Sequence, residues 1–519
     1  MKKIIFTLAT GLLLGTSGFA QQSPGTCGTT IEDQLASRPR LRENIATVES
    51  GQVADRNVIQ YVPIFFHLVG DASGNGRAKE RLVLDQLCQL NEAYAPMDIR
   101  FYLRPHVIQG LFNYSISNNG VYSDQSNTAL MQNRRHSTAL NVYIVNEATS
   151  GNGQPGLTLA YYSPPRDWIV TRKDRINGNN TNNTLAHEVG HFFSLNHTFF
   201  GYENDSFGPD DPTWPTAPVF APNGGGVTTE RQNGSNCTTA ADEICDTPPD
   251  YNFGFEQSGC GAYNQGAKDP LGTLVNPLEN NFMSYFSSCA NYAFTPQQQA
   301  IILVDRNSAS RNYLDNTFQP TAEEINTPIN LLSAPANLDT VSYYDQVLLE
   351  WNPVAGATYY LFELDITNAY ATPNTQTFIL TGTSKVLTNL QANKKYFWRV
   401  RPFNTYVTCA PARQFSFFTP ALSITATTDI VGLSGWQVAP NPLRSGTTFR
   451  LAVNANQGFE AAVQILDATG RQVYNQANLQ FQAGENLTEL PVDGLGNGLY
   501  LVVLTNSQGR DVRRLVVLR

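Results

Sequence analysis

Three of the chain's six histidines crowd into eleven residues, His187-Glu188-Val189-Gly190-His191-Phe192-Phe193-Ser194-Leu195-Asn196-His197. On a helix, side chains four apart project from one face, so His187 and His191 can offer two imidazole nitrogens to one zinc ion. Glu188 sits where it can reach a water on the metal's open side, the place of a general base in hydrolysis. His197 completes the site if the helix stops and the chain bends back. The chemistry these residue types support is attack of water on a peptide carbonyl. Three neutral imidazoles hold the metal and leave one position open, which lowers the pKa of water there to about 7. Glu188 takes the proton during attack and passes it to the leaving amine.

The elements around this segment have to hold it. Thr184 to Leu195 reads as the helix carrying the histidines, capped by Asn183 or Thr184. Val58 to Leu68 reads as a buried strand, Glu80 to Ala95 as a helix with an apolar face, and Ile99 to Leu103 and Leu140 to Val145 as further strands. From Gly201 to Asn280 the chain is rich in Gly, Pro, Asn and Asp, a length of irregular chain that metal, disulfides or function must order. Thr295-Pro296-Gln297-Gln298 opens a helix with a capping residue, proline in the first turn and glutamine three residues after the cap, expected to run to near Tyr313.

The whole chain, 519 residues with 41% hydrophobic and 15% charged, suits several domains. A net charge of −9 without acidic blocks argues against nucleic acid as a partner. Residues 1–20 read as a secretory signal: Lys2 and Lys3, an apolar run from Ile4 to Leu14, then Gly18-Phe19-Ala20. No later stretch is apolar for long enough to span a bilayer. Of seven cysteines, Cys237, Cys245, Cys260 and Cys289 are expected to form two bridges in one of three pairings. Cys88, in an apolar helical stretch, is expected to be a small buried side chain. His67, His106 and His136 stand alone in the sequence and are expected to be surface or satisfied core residues.

Residues 21–56 are polar and charged, with little apolar periodicity. Residues 57–318 form the domain that holds the histidines. From 329 to 420, Leu348-Leu349-Glu350-Trp351, Tyr359-Tyr360-Leu361-Phe362 and Tyr396-Phe397-Trp398-Arg399-Val400 alternate apolar and polar residues. Leu390, Tyr396, Trp398 and Val400 there resemble the strand corner of a fibronectin type III domain. Residues 434–519 are again β in character. Val438-Ala439-Pro440-Asn441-Pro442, Ile465 to Arg471 and Gly498 to Val502 resemble the C-terminal sorting domain of type IX secretion. That resemblance implies export by the type IX machinery and a protein released from, or attached to, the cell surface.

The histidine segment, with Asn281-Phe282-Met283-Ser284-Tyr285, Cys289 and Phe294-Thr295-Pro296, resembles the pappalysin and cytophagalysin branch of the metzincin zinc peptidases. The resemblance implies an α+β catalytic domain with a twisted mixed sheet, followed by two all-β sandwiches. It implies His187, His191 and His197 as zinc ligands and Glu188 as the base. Met283 would be the methionine of the turn beneath the metal, and Tyr285 the phenol that steadies the oxyanion. Thr26-Cys27-Gly28-Thr29 resembles the end of the family's pro-segments, which would make Cys27 a zinc-capping thiolate and residues 21–56 a removable pro-segment; the alternative is an inert or bridged Cys27. Asp242-Glu243-Ile244-Cys245-Asp246-Thr247-Pro248 resembles a calcium-binding loop, with Asp242, the Ile244 carbonyl and Thr247 as ligands; the alternative is a solvated acidic turn. Family members usually carry glycine where this chain has Ser194, so the serine is expected in a left-handed conformation. No acid lies between Tyr285 and Cys289, so a preference for cutting before arginine is not carried over.

The resulting expectation is a secreted zinc endopeptidase acting on proteins or peptides. Two other readings are a surface adhesin with a structural or inactive metal site, and a zinc peptidase whose third ligand is a downstream glutamate. The intact Glu188 weighs against the first, since a structural site needs no base. His197 weighs against the second.

Overall fold

The computed structural model describes residues 26–518, apart from 53–57, 72, 117–120, 150–157, 178–182, 204–215, 256–258, 342–343, 345–346, 389, 421–429 and 445. The signal sequence lies outside the described residues. The chain divides into two packed units. The first comprises the described residues up to Ala78, Gln89–Arg100 and His106–Asp315; the second comprises Lys79–Cys88, Phe101–Pro105 and the described residues from Asn316 on.

In chain order the N-terminal elements are β1 (Thr26–Cys27), α1 (Ile31–Glu49), β2 (Gln60–Leu68), α2 (Glu80–Tyr94), β3 (Ile99–Leu103), β4 (Val121–Ser123), α3 (Asp124–Arg134), β5 (Leu140–Val145), β6 (Glu147–Thr149), β7 (Thr158–Ser163), β8 (Trp168–Arg172), α4 (Thr184–Phe192) and α5 (Pro296–Arg306). Six strands form a mixed sheet in the order β1-β7-β8-β5-β2-β3. The β2, β5 and β8 strands run parallel, and β7 runs antiparallel to β8. Their residues are buried almost without alternation, as in a sheet covered on both faces.

The helix opened by Thr295 has the expected capping box, but it ends at Arg306 and is followed by a 3₁₀ turn, Ala309–Arg311. Helix α1 was not foreseen. Its N-terminus is a capping box between Thr30 and Asp33. Its buried face is Gln34, Ser37, Arg38, Leu41 and Asn44, spaced as an amphipathic helix requires but almost wholly polar.

His67, His106 and His136, isolated in sequence, come together in the fold: all three rings lie around Phe65, at centroid distances of 4.9, 6.0 and 5.4 Å. Strand β2 carries Phe65 and His67 together, and the two loops holding the other histidines converge on that strand end. His67 is fully buried, stacked on Tyr143 and held by Asn113 and Asn141. Burial pushes its pKa down to about 3, so it is a neutral core residue.

In the second unit Cys88 is disulfide-bonded to Cys409, 321 residues away, rather than a free buried thiol. Nothing local to either cysteine signals a partner at that separation. The unit's strands are β9 (Leu332–Ala334), β10 (Asp339–Thr340), β11 (Val347–Trp351), β12 (Tyr359–Asp365), β13 (Gln376–Leu380), β14 (Ser384–Leu387), β15 (Lys395–Phe403) and β16 (Arg413–Phe418). They form sheets β14-β11-β9 and β10-β16-β15-β12-β13. Trp351, Phe362 and Trp398 pack in the core, and the Tyr396 hydroxyl accepts the Gln391 N–H at 2.9 Å, a tyrosine corner.

The remaining strands are β17 (Leu433–Ala439), β18 (Thr448–Ala455), β19 (Phe459–Leu466), β20 (Gln472–Phe481), β21 (Gly484–Pro491), β22 (Gly498–Thr505) and β23 (Arg510–Val517). They make sheets β17-β18-β21 and β20-β19-β22-β23. Between these sheets lie Trp436, Leu451, Ile465 and Val502. The outward face of the second sheet, Leu466, Leu499, Leu501, Val503 and Val512, joins the core that holds Trp351 and Trp398.

Candidate metal centre

Helix α4 is buried from Leu185 through Phe192, including the polar residues His187, Glu188 and His191. It stops in a Schellman turn. The Leu195 N–H reaches the Gly190 carbonyl at 3.0 Å, and the Ser194 N–H reaches the His191 carbonyl at 2.9 Å. Ser194 takes φ 73°, the left-handed conformation expected of it. The helix is therefore three residues shorter than the sequence pattern suggests. Past that turn the chain reverses and returns His197 toward His191 and His187.

The three Nε2 atoms converge. His197 Nε2 lies 3.2 Å from that of His187 and 3.1 Å from that of His191. Tetrahedral zinc with metal–nitrogen bonds of about 2.0–2.1 Å spaces its nitrogens about 3.3 Å apart. Cys27 Sγ sits 3.7 Å from His191 Nε2, and all four ligand atoms lie within 4.8 Å of one another. His187 and His191 each turn Nδ1 to a main-chain carbonyl, that of Phe282 at 2.7 Å and that of Leu195 at 2.8 Å. A proton on Nδ1 leaves the Nε2 lone pair free for a metal. Burial holds the His187 pKa down at about 4 and those of His191 and His197 well below the usual imidazole value, with repulsion from the neighbouring histidines adding to the last two. Neutral imidazole is the ligating form. The donor set and its spacing fit a zinc ion.

Met283 lies under α4. A Cβ on Gly190 would sit 2.4 Å from the Met283 sulfur, so only glycine admits the thioether there. Gly254 plays the same part on the other side, where a Cβ would meet the Tyr285 and Phe286 backbone at 2.1–2.4 Å. Asp250, buried, ties the layers together by accepting from Thr198 Oγ1 at 2.9 Å and Ser284 Oγ at 2.6 Å. Asn281 Oδ1 caps the turn through the Met283 N–H at 2.8 Å. Tyr285 packs edge-on to the His197 ring, centroids 5.1 Å apart.

The N-terminal segment fills the front of this centre. Strand β1 runs parallel to the sheet edge β7, and the Gly28 N–H donates to the Ala160 carbonyl at 2.6 Å. Tyr285 Oη donates to the Cys27 carbonyl at 3.2 Å. Thr29 Oγ1 donates to Glu188 Oε2 at 3.2 Å, while Glu188 Oε1 is buried and without a protein partner. Burial pushes Glu188 up to about 8, with hydrogen bonds from Cys27, Thr29 and Tyr162 opposing it. Burial, and next the Glu188 charge, push the Cys27 thiol well up. Thiolate at this position therefore requires a cation beside it.

Helix α1 then clamps the segment. Arg38 donates to Glu243 Oε1 at 2.8 Å and to the Ala241 carbonyl at 3.1 Å, and its guanidinium lies 4.4 Å over the Phe200 ring. Arg42 reaches the same carboxylate at 2.7 Å. Asn44 bridges Ser194 Oγ and Asp305, and Arg40 pairs with Asp305 at 3.0 Å. Burial alone would raise the Glu243 pKa, but Arg42 and Arg38 outweigh it and hold it below the usual carboxylate value. A lowered folded-state pKa means the clamp is complete at neutral pH and fades only as acid protonates Glu243, below about pH 4.3. Arg38→Ala is expected to loosen α1 by about 3–5 kcal/mol, the cost of leaving a buried charge short of its partner. Hydrogen exchange confined to residues 31–49 measures it, and unchanged protection there would refute the clamp.

The four clustered cysteines pair as Cys237–Cys245 and Cys260–Cys289, and Cys27 is the free one. In the acidic loop, Thr247 Oγ1 touches both Asp242 oxygens at 3.0 Å and the Ile244 carbonyl at 2.6 Å. Asp242, Glu230 and Asp250 are all buried, and Glu230 Oε2 has no protein partner. Burial first, and then the carboxylates of Asp242 and Asp250, raise Glu230 well above its ordinary value. Glu230, Asp250, Thr29, Gln34 and Glu203 carry no local sequence signal; they are found only by their contacts.

Residues 86–198 match the family described as Metallo-peptidase family M12B Reprolysin-like. An extracellular metalloprotease of Colletotrichum graminicola is 31% identical over 227 residues, 40% of this chain and 76% of that protein. This chain belongs to the extracellular metalloproteases. A second relative, an extracellular metalloprotease of Verticillium alfalfae, is 26% identical and is covered over 94% of its length, against 57% of this chain. Residues 437–518 match the secretion system C-terminal sorting domain. Among solved structures, a Tannerella forsythia promirolysin mutant is similar over 56% of this chain and 96% of its own, at 17% identity and a TM-score of 0.37. The chain is thus a secreted metallopeptidase with a sorting tail, and no helix among the described residues is long and apolar enough to cross a membrane.

Proposed function

We propose that the chain is the latent form of a zinc endopeptidase, with His187, His191 and His197 as the ligands and Glu188 as the general base. The observation that carries this reading is the convergence of three Nε2 atoms beside a buried carboxylate that has one oxygen unpartnered. Zinc bound there would supply Lewis-acid activation of a water and of the substrate carbonyl. Glu188 Oε1 is free to accept the water's proton, and the same carboxyl then donates it to the amine that leaves. Tyr285 Oη now bonds a peptide carbonyl, that of Cys27. In a substrate complex it would steady the oxygen as charge builds on it. The main-chain groups of Ala160 and Tyr162, which hold residues 28 and 29, would pair with an extended substrate.

In this reading residues 21–56 are the pro-segment of a catalytic domain spanning 57–318. Cys27 is the fourth zinc ligand before activation, and Thr29 occupies the base. Residues 329–420 are a fibronectin type III-like module, and 434–519 engage the type IX secretion machinery. The test is to purify the chain after removal of 21–56, measure bound zinc, and digest a peptide library with and without a chelator. One zinc per chain and cleavage abolished by chelation are expected. A zinc-loaded, processed protein that cleaves nothing would favour a surface adhesin.

The acidic loop is proposed to bind calcium through Asp242, the Ile244 carbonyl and Thr247, with Glu230 as a further ligand. The support is the buried, unpartnered Glu230 oxygen beside two other carboxylates, an arrangement that a hard cation stabilises. At calcium 100-fold above its Kd the folded state gains about 2.7 kcal/mol. Removing calcium with EGTA is expected to lower Tm by several degrees, and Glu230→Gln to remove most of that difference. A Tm indifferent to EGTA would leave the loop an acidic turn.

A further inference from the structure

The three histidines are not supported alike. His187 and His191 each donate Nδ1–H to a main-chain carbonyl of the catalytic unit. Nδ1 of His197 instead faces the side-chain amide of Gln34 on α1, at 3.0 Å. The orientation of that amide is fixed, because its Oε1 accepts the main-chain N–H of His197 at 2.9 Å. Its NH₂ end therefore points at Nδ1 and, at 3.0 Å, at Glu203 Oε1. An NH₂ group cannot accept a proton, so Gln34 opposes the tautomer that the other two histidines adopt. Behind it, Glu203 Oε1 waits 3.7 Å from Nδ1, with Oε2 anchored by the Gly201 N–H at 2.8 Å. That distance exceeds an ordinary N–H···O contact by about 0.8 Å.

We propose that Glu203 is the resident partner of the third ligand and that Gln34 displaces it only while α1 is docked. When α1 leaves, the carboxylate closes the gap and accepts Nδ1–H from His197, giving a carboxylate–histidine–zinc arrangement. Activation thereby does more than uncover the metal. It exchanges a neutral donor for an anionic acceptor behind one ligand, making that imidazole a stronger base and fixing its ring. Glu203 is a positioning residue, and the proposal rests on the reading that His197 binds zinc and residues 21–56 depart.

The experiment compares the unprocessed chain with the processed one, each as the parent, Glu203→Ala, Glu203→Gln and Gln34→Ala. Zinc affinity is read by competition with a chromophoric chelator, and the His197 Nδ1–H by its nitrogen-correlated proton resonance. In the processed form Glu203→Ala is expected to weaken zinc binding about 10–100-fold, with Glu203→Gln between it and the parent. The Nδ1–H resonance should move upfield in both variants. In the unprocessed chain Glu203→Ala should change affinity by less than about threefold, since Gln34 holds the position and Cys27 adds a ligand. Gln34→Ala should alter the unprocessed chain only. Unchanged zinc affinity and resonance in processed Glu203→Ala or Glu203→Gln that have shed α1 and still need His197 for zinc would overturn this proposal alone. Zinc retained in His197→Ala, or an α1 still bound after cleavage, would overturn the underlying reading and this proposal with it.

Discussion

Glu188→Ala is expected to leave one zinc per processed chain and to reduce peptide cleavage by about 10²–10⁴-fold, the usual contribution of a positioned general base. The carboxylate is not among the four converging ligand atoms, so its loss does not remove a ligand. Beyond the hydrogen bonds from Thr29, Cys27 and the Tyr162 main chain, its buried surroundings give it no structural task. Loss of zinc together with activity would mean that the residue shapes the site rather than moves protons. Glu188→Gln separates the two further, because it keeps the hydrogen-bonding volume and lacks the basicity. It should be as inactive as alanine.

Cys27→Ala in the unprocessed chain is the second large effect, in the opposite direction. Four-ligand zinc sites bind with about 10–16 kcal/mol, so one ligand of four accounts for about 3 kcal/mol, or about 10²-fold in occupancy of the open position. Unprocessed Cys27→Ala is expected to cleave a short peptide about 10²-fold faster than the unprocessed parent. It should stay below the processed enzyme, because Thr29 still engages Glu188 and α1 still clamps the segment. Adding Thr29→Ala should raise it again. An unprocessed Cys27→Ala as silent as the parent would mean that latency rests on α1 alone, and then Arg38→Ala should be the substitution that wakes it.

How much of this was readable depends on the range of the interaction. His187, Glu188 and His191 were legible because helical spacing is a local property, whereas the left-handed Ser194 followed from the glycine that the resembling family carries there. Met283 and Tyr285 came from a resemblance, and the reason for Gly190 between the two histidines emerged only with the Met283 sulfur beneath it. Thr29, Gln34 and Glu203 could not be read. Thr29 meets Glu188 and Gln34 meets His197 across about 160 residues, and Glu203, though near His197 in sequence, acquires its role through Gln34. Helix α1 went unseen because its buried face is written in Gln, Ser, Arg and Asn. A search for apolar periodicity passes over such a face, although the spacing is there. The Cys88–Cys409 bridge failed for a similar reason, since two isolated cysteines carry no pairing information.

One feature of the second unit bears on how such a protein is shipped. Leu466, Leu499, Leu501, Val503 and Val512 of the last sandwich share a core with the preceding one, so the tail is welded to its neighbour instead of dangling from it. Cutting the chain between β16 and β17 would sever the backbone without parting the cargo from its label. On a gel-filtration column the two pieces should still elute together, and only denaturant should tear the label off.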